Sequence, residues 1–408
     1  MKKTAATMLG ALTAAVIVGS LMVDAGPARA SFPGHNGRIV FAQCSPGYCQ
    51  LFTVRPDGSG PRQLTATTSG YDYWPAYSAR GGRIVYDHED TGGEADIYSI
   101  SAKGGAPRQI TNTPTVAEFG PSLSPDGKRI AYYAYDGNDY EIYTIPAKGG
   151  VPTRITDNSV SDYHPVFSPN GKKIAYDSYD GTNSQIYTVS ASGGTPHLLT
   201  SGKYVYYPSW SPDGRRIAYS ASDANLRSQI YTIAASGGVP TQITYNTSGS
   251  YDPAYSPNGR RIAYRGYDSS NNAQIYTISA AGGVPTQITA GTSYNGDPDW
   301  QPNFSPAVTK PSPKPGRSVR DRTPTIAAAV RDGQQYLGKK NISLKLDGRK
   351  VTTFSYDRST GRLSFTPKNN LSFGTHRVRI GAGDEFGLTT SRSWSFEVVR
   401  SQRARGRA

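Results

Sequence analysis

One nine-residue phrase recurs along this chain and constrains its fold more than any other feature. It reads Ser-Pro-Asp-Gly-Arg-Arg-Ile-Ala-Tyr at residues 211–219, and variants of it begin at Ser78, Ser124, Ser168 and Ser256. Proline presets φ at the second turn position, Asp or Asn can bond the nearby backbone, and glycine takes a conformation that a side chain would forbid. The alternating Ile, Ala and Tyr that follow are typical of a strand. The phrase therefore predicts a tight turn that joins two strands, repeated along the chain.

The spacing of the repeats indicates the architecture. Each turn is followed by an Ile-Tyr-Thr-Ile-like phrase and then by Gly-Gly, Pro and Gln-Ile-Thr, and successive closing threonines lie 44 to 46 residues apart. Those threonines are Thr65, Thr111, Thr156, Thr200, Thr244 and Thr289. Four short strands per unit and a period in the forties are typical of a β-propeller blade.

The ends of the repeat array are expected to meet. The first unit lacks its first strand, while Asp297-Pro-Asp-Trp-Gln-Pro302 supplies a first strand with no unit after it. Closure matters because an open ring would leave two unpaired sheet edges. We therefore predict an all-β fold: residues 31–302 form a six-bladed β-propeller closed by this C-terminal strand.

Residues 1–30 have the pattern of a secretory signal peptide. Lys2 and Lys3 precede a mostly apolar run, and Ala28-Arg-Ala30 resembles a cleavage site. The alternative is a retained membrane anchor, because the apolar run is nearly long enough to span a bilayer. We favour cleavage after Ala30 and expect an exported protein, periplasmic or extracellular and in some form associated with the cell wall.

The two cysteines flank a short loop of the first unit. Cys44 and Cys49 are separated by Ser-Pro-Gly-Tyr. In an exported protein a close pair within one hairpin predicts a disulfide. A redox or metal pair is the alternative, but the spacing is not Cys-x-x-Cys.

The sequence changes character after Pro302. Residues 303–323 are predicted to be a proline-rich linker, residues 324–400 alternate as a small Ig-like β-sandwich does, and residues 401–408 form a basic tail. Residues 303–408 contain 21 Lys and Arg against 7 Asp and Glu, a net charge of +14, whereas residues 31–302 carry −2. This predicts association with an anionic cell-wall polymer or lipid headgroup, with no role in nucleic-acid binding. A solvated surface that merely aids solubility is the alternative.

The loops opposite the repeated turns are the candidate binding surface. Blade topology brings carboxylates and aromatics together there, near the mouth of the central channel. These residues are Asp72, Trp74, Glu118, Asp162, His164, Tyr207, Asp252 and Asp297. They suit a peptide, a glycan or a cation. The alternative is that the aromatics pack on the following prolines and the acids cap loops.

Two of these acids are expected to lie on neighbouring blades. Because the strand with Asp297 completes the first blade, Asp297 should lie beside Asp252 and could share a cation with it. Changing both residues to Asn should then weaken ligand binding and leave the melting temperature nearly unchanged.

Catalytic motifs are not evident. The sequence has no Gly-x-Ser-x-Gly elbow, and its histidines lack the His-Glu-x-x-His metal spacing. We expect no catalytic residue, no cofactor and no bound metal. The alternative is a propeller-channel enzyme, a lyase or hydrolase acting on a polysaccharide, for which a metal in the channel would be the sign.

The repeated phrases resemble the WD-like repeats of TolB-family propellers over about two-thirds of the chain. TolB is a periplasmic partner of a peptidoglycan-associated lipoprotein and carries an α/β domain before its propeller, for which residues 31–36 leave no room. More loosely, Leu371–Val378 and Asp384–Gly387 resemble bacterial Ig-like modules. We expect a monomeric, non-enzymatic binding or scaffold protein that recognises an envelope or extracellular protein, peptide or glycan.

Overall fold

The structure, a computed structural model, describes residues 29–401, with side chains from Ser31 onward. The predicted signal peptide and basic tail therefore lie almost entirely outside the described residues. The chain divides into two compact units. One contains the chain up to Pro302 except for two short segments, and the other contains those segments, Arg80–Arg83 and Ser101–Lys103, with the residues from Asn303 onward. No helix in the described part of the chain is long and apolar enough to cross a membrane.

The first unit consists of strands. In chain order they are β1 (Arg29–Ala30), β2 (His35–Ser45), β3 (Tyr48–Val54), β4 (Arg62–Gln63), β5 (Gly70–Tyr77), β6 (Arg83–Glu89), β7 (Ala95–Ser101), β8 (Arg108–Gln109), β9 (Glu118–Leu123), β10 (Arg129–Tyr135), β11 (Tyr140–Pro146), β12 (Thr153–Arg154), β13 (Ser161–Phe167), β14 (Lys173–Tyr179), β15 (Ser184–Ser190), β16 (His197–Leu198), β17 (Tyr206–Trp210), β18 (Arg216–Ser222), β19 (Ser228–Ala234), β20 (Thr241–Gln242), β21 (Ser250–Tyr255), β22 (Arg261–Tyr267), β23 (Ala273–Ser279), β24 (Thr286–Gln287) and β25 (Tyr294–Asn303).

Apart from β1, the described strands of this unit fall into groups of four. Four groups follow the chain directly: β9 to β12, β13 to β16, β17 to β20 and β21 to β24. β5 to β8 form a fifth group. The remaining group contains β3, which makes a short parallel pairing with β5. In that last group the order is β25-β2-β3-β4, so the late strand β25 pairs with the early strand β2. The fold is all-β, as expected; the closed ring of six blades stays our prediction, and this pairing is the one that it requires.

The repeated phrase forms the turn that its residues predict. Between β17 and β18 the Gly214 amide donates to the Ser211 carbonyl at 2.8 Å, and Gly214 has φ 69°. The Ser211 hydroxyl donates to Asp213 at 2.6 Å, and the Arg215 amide donates to the same carboxylate at 3.0 Å. The turn therefore satisfies its own polar groups, which explains why the phrase recurs with little change.

Packing between neighbouring groups buries the apolar residues of the repeats. Val85 and Ile97 of one group pack with Ile130 and Tyr132 of the next, and all four are almost fully buried. At about 25 cal/mol per Å², each such side chain contributes roughly 1.5–3 kcal/mol, which drives the association of the sheets.

The first described side chains are also buried. Phe32 packs with Val166, Trp210 and Ile217, and the Ser31 hydroxyl donates to the Tyr255 carbonyl. The backbone of β1 pairs in parallel with β17. Cleavage after Ala30, if it occurs as predicted, would remove β1 and leave Ser31 and Phe32 as the start of the chain.

The second unit is built from two sheets. Its strands are β26 (Ala307–Ser312), β27 (Ser318–Val319), β28 (Ile326–Arg331), β29 (Ile342–Leu346), β30 (Arg349–Val351), β31 (Ser355–Asp357), β32 (Arg362–Phe365), β33 (Gly374–Gly383) and β34 (Thr389–Val398), with a 3-10 helix at Lys339–Asn341. The sheet orders are β26-β28-β32-β31 and β27-β34-β33-β29-β30. A single apolar core contains residues from both sheets, among them Leu344, Leu363, Val378 and Phe396. Two packed sheets are what the alternation predicted, and the Ig-like classification stays a prediction.

The segment expected to be a linker differs from that expectation. Within residues 303–323, β26 and β27 are strands of the two sheets. The prolines are compatible with this because both strands lie at sheet edges, where a missing amide donor costs no ladder hydrogen bond.

Candidate functional site

The end of the first unit opposite the repeated turns has an unusual backbone. In each group of four, the residue before the proline of the innermost strand has a positive φ, between 52° and 61°. These residues are Trp74, Gly120, His164, Tyr207, Asp252 and Asp297. Five of the ladders between first and second strands also shift register here, as at a β-bulge. A bulky residue before proline is ordinarily extended, so this conformation is strained and is held by the surrounding packing.

Three of these strands carry a buried acid two residues before the residue with positive φ: Asp72, Glu118 and Asp162. Asp72 accepts from the Thr67 hydroxyl at 2.8 Å and lies 2.7 Å from His88 Nδ1. Asp162 accepts a hydrogen bond from the side-chain amide of Asn158 at 2.8 Å. Burial raises the pKa of Glu118 and of Asp162 to about 7 in each case. All three acids are buried, and Asp72 and Asp162 bond neighbouring side chains, which supports the structural alternative for those two.

Aromatic rings cluster at this end of the first unit. The His164 ring lies 4.5 Å from that of Tyr207, 5.4 Å from that of Tyr133 and 6.2 Å from that of Trp74, measured between centroids. His164 Nδ1 lies 2.8 Å from Asp177 Oδ1. The structure thus brings together three of the predicted residues, and it packs them as a cluster around one histidine.

Charged groups occupy another part of the same end. Arg265 is fully buried, and its Nε donates to Asp252 Oδ2 at 2.7 Å. Its guanidinium also lies over the Tyr251 ring at 4.5 Å and the Tyr294 ring at 5.5 Å. The cation expected beside Asp252 is therefore a protein side chain. Asp297 is buried as well.

Sequence reasoning missed the second-strand residues that support this end. Asp87 accepts a hydrogen bond from the Gly120 amide at 3.3 Å, and Asp177 accepts one from the Tyr207 amide at 3.1 Å. Each bond links two groups of four and holds the backbone at the residue with positive φ. Burial raises the pKa of Asp87 well above its usual range. One signal was available: the residue after Ile-Ala-Tyr or Ile-Val-Tyr varies between repeats, and Asp87, Asp177 and Arg265 all occupy it.

Exposed and partly exposed aromatic rings recur at this end of the first unit, and we call them the aromatic face. Its members lie on the first strands, at the ends of the second strands, at the start of the third strand β11 or in the adjoining loops. They are Tyr71, Tyr73, Trp74, Phe119, Tyr135, Tyr140, Tyr163, Tyr179, Tyr204, Tyr206, Tyr251, Tyr267 and Tyr294. Neighbouring rings contact one another, with centroids 5.2 Å apart for Tyr140 and Tyr163 and 5.5 Å apart for Tyr135 and Tyr140. Tyr135 and Tyr204 are the most exposed, at 45% and 47%.

The predicted disulfide is confirmed. Cys44 and Cys49 are joined, and they lie directly opposite each other on β2 and β3. The Tyr73 hydroxyl lies 3.1 Å from Cys49 Sγ, so the bond adjoins the aromatic face. A bond of this kind indicates an oxidising compartment.

The described residues contain no group of three or more His, Cys, Asp or Glu side chains that could hold a metal ion. The histidines that contact acids do so in separate pairs, His88 with Asp72, His164 with Asp177 and His376 with Asp347.

Several solved structures have a fold similar to that of this chain. TolB from Acinetobacter baumannii aligns with a TM-score of 0.59 and 24% identity, over 65% of this chain and 67% of that one. A protein from Agrobacterium tumefaciens that is named TolB aligns with a TM-score of 0.53 and 22% identity, over 65% of this chain and 92% of that one. A chain of the nidogen/laminin complex aligns with a TM-score of 0.55 and 11% identity, over 65% of this chain and 98% of that one.

A search of curated proteins finds no match to this chain. The family model of the TolB beta propeller domain matches residues 108–227 and 203–310, which include the turns, strands and Gly-Gly loops described above. The first unit of this chain therefore belongs to the TolB β-propeller domain family.

Proposed function

We propose that this protein is an exported, non-enzymatic binding protein whose aromatic face docks a protein partner. The aromatic face is the observation that carries the proposal. Partly exposed tyrosine and tryptophan supply large apolar area and a polar tip, and both are enriched where protein interfaces bury their central residues. Among the described residues of the first unit, no exposed aromatic side chain lies at the turn end.

The backbone at the mouth supports the same surface. Five bulky or charged residues there have positive φ before a proline. Such conformations cost about 1–3 kcal/mol each and cluster at binding and catalytic sites. The repeats agree closely at the turn end, where turn geometry explains each residue, and differ at the mouth. Selection for packing alone could have used the same residue in every repeat.

The comparisons are compatible with a protein partner. The TolB proteins share the fold of the first unit, and a chain of similar fold occurs in the nidogen/laminin complex. We propose export because the chain begins with the pattern of a secretory signal and contains a disulfide. We further propose that the first unit is a six-bladed ring over residues 31–302 and that the protein is monomeric.

The test compares two ends of the same propeller. Tyr135→Ala and Tyr204→Ala each remove an exposed ring of the aromatic face. Val239→Ala and Val284→Ala are matched controls, because these valines are about 90% exposed and lie in Gly-Gly-Val-Pro loops at the turn end. The tagged full chain is used to recover partners from envelope extract before and after protease treatment of that extract.

We expect each tyrosine change to weaken the affinity for a protein partner by about 1–2 kcal/mol, or five- to thirty-fold. The valine changes should leave that affinity within about twofold of wild type. Thermal unfolding of all four variants should stay close to wild type, since the side chains are exposed. The proposal fails if the valine variants lose the partner equally. It also fails if the recovered ligand survives protease treatment, which would identify a glycan.

A further inference from the structure

The second unit presents a row of cations across three neighbouring strands of its five-stranded sheet. Lys345 of β29 lies directly opposite Lys350 of β30 on one side and Arg379 of β33 on the other. Directly paired residues point to the same face, and all three are exposed. We call Lys350, Lys345 and Arg379 the cationic row. Ser393 of β34 lies opposite Arg379 and extends the row with a hydroxyl.

This arrangement is unfavourable for the folded protein by itself. Like charges directly opposite each other on neighbouring strands destabilise a sheet. In the part of the chain that the structure describes, none of the three cations forms an ion pair. The acid nearest in sequence, Asp347, accepts from His376 and from the Arg377 amide. Glu397 also lies on this sheet, opposite Thr375 and four residues along β33 from Arg379.

A concavity continues the row at the edge strand. It has a volume of about 380 Å³, and its lining includes Lys339, Lys340, Lys350, Ser343 and Thr352. The Lys339 ammonium is held 5.0 Å from the centre of a further lining residue, the Phe354 ring. Lys350 belongs to both the row and the concavity, so five cations adjoin one another with hydroxyl donors between them.

From this geometry we propose that the cationic row and the adjoining concavity bind a phosphodiester polyanion. Lysine acts on phosphate as a point charge, and serine and threonine hydroxyls add hydrogen bonds to its oxygens. Strands lie about 4.8 Å apart, so the row spans roughly 10 Å before the concavity is added. That span exceeds a single phosphate and fits successive phosphates of a polymer or of a lipid surface. The inference does not depend on the aromatic face.

The experiment measures binding of the full chain to two probes. One is a soluble poly(glycerol phosphate), and the other is a vesicle of phosphatidylglycerol and phosphatidylcholine in equal amounts. The test variant carries Lys345→Ser, Lys350→Ser and Arg379→Ser. The control variant removes the same charge from exposed positions off the row, with Arg320→Ser, Arg362→Ser and Lys368→Ser. Both keep the basic tail, and thermal unfolding confirms that both fold.

We expect the row variant to bind about 100-fold more weakly at low salt, since each cation near a phosphate surface contributes about a factor of five. The plot of log affinity against log salt should lose about 2 in slope, the share of three phosphate contacts on a flexible chain. The control variant should stay within about threefold to fivefold of wild type. The probe that shows the 100-fold difference identifies polymer or lipid as the source of phosphate.

Equal losses by the two variants would overturn the proposal, because net charge and not the row would then determine binding. Affinity that is unchanged in the row variant with both probes would overturn it as well. Duplex DNA serves as a third probe, and tighter binding to DNA than to either phosphodiester probe would refute the assignment to an envelope polyanion.

Discussion

Asp252→Asn isolates the charge of the buried ion pair at the channel mouth. Asn tolerates the positive φ of this position and has nearly the same volume, so backbone and packing are preserved. What the change removes is the negative charge 2.7 Å from the Nε of fully buried Arg265. From the sequence we expected this substitution, together with Asp297→Asn, to leave stability unchanged. The structure reverses that expectation for Asp252.

The expected cost follows from the burial of both partners. Removing one partner of a buried ion pair costs about 3–5 kcal/mol, because the other charge stays buried after the charge of its partner is gone. Arg265 keeps its bond to the Tyr267 hydroxyl and its contacts with aromatic rings, so we take the lower end, about 3 kcal/mol. With an unfolding entropy of about 2.1 cal/mol/K per residue, a unit of roughly 270 residues should lose about 5 °C in Tm.

Equilibrium unfolding in urea and calorimetry measure this loss. Glu94→Gln is the matched control, since Glu94 is exposed, and it should change the free energy of unfolding by less than about 0.5 kcal/mol. Adding Arg265→Met to Asp252→Asn should recover at least about 1 kcal/mol, because the buried positive charge is then gone. A loss below about 0.5 kcal/mol for Asp252→Asn, with no recovery in the double variant, would refute the reasoning.

Three further predictions follow from other parts of the propeller. Alkylation of the unreduced, denatured protein should add no mass at Cys44 or Cys49, and replacing both with Ser should cost at most about 3 kcal/mol, because the closed loop is short; two labelled thiols would contradict the bond. Phe32→Ala should cost about 3–5 kcal/mol in urea unfolding, since the ring is almost fully buried; a loss below about 1 kcal/mol would show that the start of the chain does not pack. Because burial raises the pKa of Glu118 to about 7, the folded state binds its proton more tightly than the unfolded state does, and the free energy of unfolding should fall as pH rises from about 4.5 to about 7. Glu118→Gln should flatten that fall, and an unchanged pH slope would show that Glu118 titrates normally.

Local chemistry explains which parts of the fold could be predicted from the sequence. Ser211 to Gly214 specify their turn through contacts within a few residues, and Cys44 and Cys49 lie in one hairpin. Such features depend on short stretches of chain. The pairing of β25 with β2 was also predictable, because the repeat pattern leaves one strand missing at its start and one in excess at its end.

The mouth of the channel could be predicted only in outline. The positive φ of Trp74 and His164 opposes the ordinary preference before proline, so no local rule indicates it. The partner of Asp252 is Arg265, thirteen residues away on the adjacent strand, and the variation at that repeat position marks Arg265 without identifying its partner. The carboxylates of Asp72 and Asp162 looked like ligands because composition cannot show that their side chains engage loop residues.

Photo-cross-linking at single positions tests the central claim, that the aromatic face docks a protein. Tyr204 is replaced by p-benzoylphenylalanine in one variant and Val239 in the other, so that the same reactive group stands at the mouth end and at the turn end. Irradiation of cells followed by denaturing electrophoresis should give a discrete, protease-sensitive adduct from position 204 and none from position 239. An adduct from position 239 alone, or the same adduct from both positions, would contradict the claim.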